Sequence, residues 1–174
     1  MKLSVTDRAA AIATFRFIEV RLMELTAAWT PSTPEMEVKV MFGRHIWDFA
    51  QHADILGKRT FELRLPEQHS KRAAEPYVAL LQSALAVKGT SERLAALYDA
   101  ILPGLERRYR AYISATDPIL DEPSLILLER ILRDYEKQRK EADTLRSSLK
   151  LQKADAEKFV ASDRAIESVV ATPA

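Results

Sequence analysis

The chain contains no cysteine. Disulfides, thiolate nucleophiles and cysteine-held zinc or iron–sulfur centres are therefore excluded, and the absence suits a reducing compartment. Glycine is nearly as scarce, at 4 of 174 residues, and no glycine-rich nucleotide-binding pattern is present. No window approaches the roughly 18 consecutive apolar residues of a membrane span. The opening MKLSVTDRAAAIATF is interrupted by Asp7 and Arg8 before a signal-peptide core can accumulate. Neither sign of charge dominates: 26 Lys and Arg face 25 Asp and Glu, for a net charge of +1. Neither nucleic acid nor an acidic membrane is expected as a partner. Strand-like alternation is also sparse, and no serine or cysteine nucleophile stands beside a base. The expectation is a cytoplasmic, all-α protein with a domain-sized core.

What is present is concentrated in Val38 to Arg59, VKVMFGRHIWDFAQHADILGKR. At helical spacing Val38, Phe42, His45, Phe49, His52 and Leu56 share one face. Two of the 3 histidines thus lie in an apolar stripe, about two helical turns apart. A first helix is predicted from Thr6 to Ala28, capped by Ser4 or Thr6, with an inward stripe of Ile12, Phe15, Glu19, Leu22 and Thr26. Glu19 is a carboxylate at a core position. Ser32 or Thr33 is expected to cap the second helix, and Gly57 to end it near Leu56.

Residues 58 to 74, with Pro66 and His69, read as a polar connection. A short helix over Glu75 to Val87 follows, then a helix from Ser91 to Ala115 kinked at Pro103-Gly104. Asp121 or Glu122 caps a last long helix carrying Leu125, Leu128, Leu132, Tyr135 and Ala142 inward. Tyr98, Tyr109, Tyr112 and Tyr135 read as core residues with polar tips, and Trp47, off the inner stripe, as a packing residue against the crossover or a partner. Asp54 and Arg59 are expected to pair near the end of the second helix. Residues 1–150 are expected to form an antiparallel four-helix bundle with a short crossover helix. Residues 151–174 are expected to be a C-terminal helical extension or mobile tail.

Glu19, His45 and His52 fall on inward stripes of adjacent helices, and three readings stand open. They ligate iron, manganese or zinc. They satisfy one another as a buried hydrogen-bonded network, since an isolated buried charge is costly. Or they line a small polar pocket, where a histidine pair transfers protons.

The segments GRHIWDFAQHADILGKR (Gly43 to Arg59) and DPILDEPSLILLERILRDYEKQ (Asp117 to Gln138) carry a resemblance. Over roughly residues 6 to 145 the chain resembles the ferritin-like superfamily, in particular its bacterial ferritin-like domain proteins. The resemblance implies a di-iron pattern of Glu on the first helix, Glu-x-x-His on the second, Glu on the third and Glu-x-x-His on the fourth. Glu19 matches the first position and His52 the second-helix histidine. Phe49 stands where that motif has its Glu, Glu106 is the nearest third-helix candidate, and Tyr135 and Gln138 occupy the fourth-helix positions. The expectation is a degenerate member without a cofactor, acting as a binding, scaffold or interaction subunit. Its partner would be another protein, a second copy of the chain or a small ligand. The alternative is an iron- or manganese-dependent oxidoreductase with Glu19, His45 and His52 as ligands and Glu106 or Glu129 as a fourth.

Overall fold

A computed structural model describes residues 2–64 and 70–171. The protein is all-α. Helix α1 spans Val5–Trp29, α2 Met36–Glu62, α3 Glu75–Leu85, α4 Thr90–Leu94, α5 Leu102–Ala115, α6 Glu122–Ser148 and α7 Glu157–Arg164, with a π-helical segment Ala95–Ile101 joining α4 to α5. Among the described residues no helix is long and apolar enough to cross a membrane.

Helix α1 begins as its sequence requires. Ser4 Oγ accepts the Asp7 N–H at 3.1 Å, and the Asp7 carboxylate accepts the Ser4 N–H at 3.2 Å, a reciprocal cap that occupies two otherwise orphaned donors. Its expected inward stripe is buried throughout, with Ile12, Glu19, Leu22 and Thr26 fully enclosed. Helix α2 packs along α1 and buries its own stripe of Val38, Phe42, His45, Phe49, His52 and Leu56. Each large apolar side chain so enclosed contributes roughly 1.5–3 kcal/mol.

The start and end of α2 differ from the sequence expectation. Ser32 and Thr33 do not cap it. They instead accept hydrogen bonds from the buried Arg93 guanidinium, at 2.8 and 3.0 Å, which ties the α1–α2 turn to α4. Gly57 does not end the helix. A Cβ at Gly57 would lie 2.7 Å from Arg16 Nε, so the glycine seats the Arg16 side chain and the helix continues to Glu62. It stops where Arg64 turns left-handed, at φ 55°. Residues 58 to 62, expected in the connection, are therefore helical. Pro66 and His69 lie outside the described residues.

Arg59 does not pair with Asp54, which instead holds Lys58 at 2.6 Å. Arg59 turns inward and donates to Asp121 at 2.9 Å and Ser124 at 2.8 Å. Asp121 is fully enclosed and also accepts from Tyr112 and Thr116, both at 2.7 Å, and from Ser124 at 2.6 Å. Burial pushes its carboxyl pKa up, but the four donors outweigh that and hold it below the usual range. Asp121 thus fixes the entry to α6 from a buried position, and no N-cap bond of its own side chain is made.

The disturbance expected at Pro103-Gly104 appears upstream, as the π-helical segment. The Leu102 N–H bonds back to the Leu97 carbonyl, the wider register of such a turn, and Pro103 offers no N–H to restore the narrower one. Residues 152–171 fold back onto the body. Asp163 on α7 is 1% exposed and accepts from Arg107 and from Arg108, the latter at 2.6 Å. Gly104 makes this approach possible, because a Cβ there would meet the Asp163 carboxylate oxygens at 2.5 Å.

Candidate functional site

Glu19 projects from the middle of α1 into the core. Its Oε1 accepts from Tyr109 on α5 at 2.7 Å and from Tyr135 on α6. The two phenol rings stack with centroids 5.9 Å apart. Burial, reinforced by the Glu19 charge, pushes both hydroxyls well above their usual pKa, so they remain protonated donors. Glu19 Oε2 meets His52 Nδ1 at 3.2 Å, and His52 Nε2 meets Asp134 Oδ2, also at 3.2 Å. Both histidine nitrogens therefore face carboxylates, which only accept, and each nitrogen donates. Burial alone would push the His52 pKa down. The Glu19 charge, with the hydrogen bonds to Asp134 and Glu19, overcomes it and raises the pKa to about 9. His52 is an imidazolium at neutral pH.

His45, one heptad earlier on α2, makes a different set of contacts. Its Nδ1 lies 2.6 Å from the Tyr98 hydroxyl, and its Nε2 lies 3.0 Å from Glu141 Oε2. Tyr98 sits inside the π-helical segment. Burial pushes the His45 pKa below 6.5, and Glu141 offsets this only in part. His45 is therefore neutral, with its proton on Nε2 toward the acceptor Glu141 and Nδ1 accepting from Tyr98.

The two histidines share a register with α6. His45 meets Glu141, Asp48 meets Gln138 at 3.1 Å, and His52 meets Asp134. Each step forward along α2 is matched by a step back along α6, so the two helices run antiparallel. Beside the upper rungs an open groove of about 680 Å³ runs between the helices. Val40, Gly43, Trp47, Asp48, Lys137 and Gln138 contribute to its wall. Arg44 and His45 both reach Glu141 at its edge. Trp47, expected to pack against the crossover or a partner, is 65% exposed beside the polar Lys137, Gln138 and Glu141 of the groove.

Of the sequence candidates, Glu19 and His52 are in contact and His45 stands apart in its own layer. The donor set as arranged does not fit a di-iron group. Both Glu19 oxygens are engaged, both His52 nitrogens already face carboxylates, and Phe49 has no ligand atom to give. Tyr135 is turned to Glu19, and Glu106 is drawn off to Arg139 at 3.1 Å. Among the described residues no three or more histidine, aspartate or glutamate side chains converge to hold a metal ion. The carboxylates that complete the layers, Asp134 and Glu141, escape a reading based on apolar stripes because they lie on the half-exposed flank of α6. Their spacing of seven residues, equal to that of His45 and His52, is the signal that points to them. No protein-family model, curated protein or solved structure matches the chain.

Proposed function

We propose that the chain is a ferritin-like four-helix bundle that has lost the di-iron site and works as a binding protein, with the α2–α6 groove as its working surface. Four long helical stretches (α1, α2, Thr90 to Ala115 and α6) joined by a connection holding the short α3 support the bundle reading. The observation that carries the functional reading is the state of Glu19. Its two oxygens are taken by Tyr109, Tyr135 and His52, so the residue most suited to a metal serves instead as the hub of a structural network. Such a network fixes the relative positions of α1, α2, α5 and α6 and leaves the outer faces for association.

The test is elemental analysis of protein expressed with added iron, manganese and zinc, alongside His52→Ala. The expected result is far less than one metal per chain in both. One or more metals per chain in the wild type, lost in His52→Ala, would overturn the reading and make a metal-dependent oxidoreductase the working alternative.

A further inference from the structure

The wall of the groove beside His45 buries one polar atom whose requirement is not met among the described residues. Gln138 is 1% exposed, and its Nε2 donates to Asp48 Oδ2 at 3.1 Å. Its Oε1 is buried with no hydrogen-bond partner among the described residues. Turning the amide over would set that oxygen against the Asp48 carboxylate, so Asp48 fixes the orientation. A buried acceptor left unpaired is costly; Gln138 lines the groove, and a small shift of its side chain would bring that oxygen to a donor entering from it.

The charges lining the groove say what kind of donor fits. The Arg44 guanidinium neutralises Glu141, which also accepts from the uncharged His45. What remains is the Asp48 carboxylate, next to the Gln138 amide, and the Lys137 ammonium, which makes no ion pair or hydrogen bond within the described residues. Two acceptors side by side, one of them anionic, suit an N–H-bearing cation, and a primary ammonium brings three donors. The Lys137 ammonium suits an anion. The wall also offers apolar surface, since Trp47 is 65% and Val40 52% exposed. Between them on the same helix face is Gly43, where a Cβ would meet nothing within 4 Å. Glycine inside a helix is disfavoured, and no neighbouring group requires it here. Its consequence is an opening in the wall between Val40 and Trp47.

We propose that this groove binds a free amino acid, its ammonium on Gln138 Oε1 and Asp48, its carboxylate at Lys137, and an apolar side chain against Trp47 and Val40. The volume of about 680 Å³ falls in the range of small-molecule sites. The proposal rests on the metal-free binding reading above and names the ligand class for it.

The experiment screens free L-amino acids by thermal shift, then compares three probes by calorimetry on protein whose metal content has been measured. The probes are L-phenylalanine, phenethylamine, which lacks the carboxylate, and 3-phenylpropionate, which lacks the ammonium. L-Phenylalanine is expected to bind at least about tenfold more tightly than either, the effect of losing one charged contact. Gly43→Leu is expected to abolish binding by filling the opening. Gln138→Met is expected to weaken it about tenfold while the melting temperature holds or rises, which separates lost binding from lost folding. Metal-free, folded protein that binds no amino acid, or that binds either single-charge probe as well as L-phenylalanine, overturns this inference and leaves the metal-free reading standing. Stoichiometric metal in the same preparation overturns both.

Discussion

His52 and His45 occupy equivalent places one heptad apart on a single buried stripe, each joining an α6 carboxylate to a phenol-bearing region of the core, yet one is cationic and the other neutral. Both are pushed toward neutrality by burial. The difference lies behind the ring. His52 is backed by the Glu19 carboxylate, which turns the penalty around, whereas His45 is backed by the Tyr98 hydroxyl. A hydroxyl donates as readily as it accepts, so it meets a neutral imidazole; a carboxylate needs a donor. One acidic residue on α1 therefore divides the seam into a layer with a charged histidine and a layer with a neutral histidine that backs onto the groove. The groove's own charges, Asp48 and Lys137, are then free of competition from a cationic His45.

Removing the acidic residue should break the contrast most severely. Glu19→Gln is expected to cost about 3 kcal/mol at neutral pH, the scale of dismantling a buried ion pair, as read by urea denaturation. It should also return His52 to the neutral form that burial favours. A loss below about 1 kcal/mol would mean that the pair contributes no more than a surface contact.

The pH profile of stability sharpens the same contrast, because the two layers push it in opposite directions. His52 in the folded state titrates at about 9, above its ordinary 6.5. Its stabilisation is thus complete below pH 6.5 and is lost as pH rises through about 9. The amount at stake is roughly 3 kcal/mol. His45 is held below 6.5 when folded, so the unfolded chain takes up its proton first, and stability falls as pH drops below 6.5. Denaturation midpoints should therefore peak near pH 6.5, and Glu19→Gln should flatten only the alkaline side. An alkaline side unchanged by that substitution would show that another group governs it.

Smaller effects belong to the neutral layer and the outer partners. Tyr98→Phe removes one neutral hydrogen bond and should cost about 1 kcal/mol in thermal or urea unfolding, with the alkaline slope intact. Asp134 lies at the surface end of the charged layer, with its side chain 35% exposed. Asp134→Asn should cost no more than about 1 kcal/mol and lower the His52 midpoint modestly. A larger loss than that of Glu19→Gln would reverse the proposed order of the two carboxylates.

The long helices and their buried stripes were readable from spacing alone, because a 3.6-residue period leaves the same apolar marks wherever a helix meets a core. Glu19 and His52 were readable as partners for the same reason. His45 was not separable from them in sequence: seven residues place it on the same face but about 10 Å further along the axis, enough to give it a different set of neighbours. Gly57 reads as a stop signal until the Arg16 side chain that covers it is seen. Trp47 reads as a residue off the inner stripe that packs against the crossover or a partner, and spacing alone does not show that it stands exposed beside the polar groove residues of α6. The return of the C-terminal segment depends on Asp163 meeting two arginines and a glycine more than fifty residues away. That pairing leaves no periodic trace.

The contrast is tested most directly by following the histidine ring protons by NMR across pH 4 to 11, with Glu19→Gln as the control. The expected result is one buried histidine titrating near 9, displaced in Glu19→Gln, and a second that titrates below 6.5 and does not respond to that substitution. Two buried histidines titrating together near their ordinary value, or both shifting stoichiometrically when iron or manganese is added, would contradict the account.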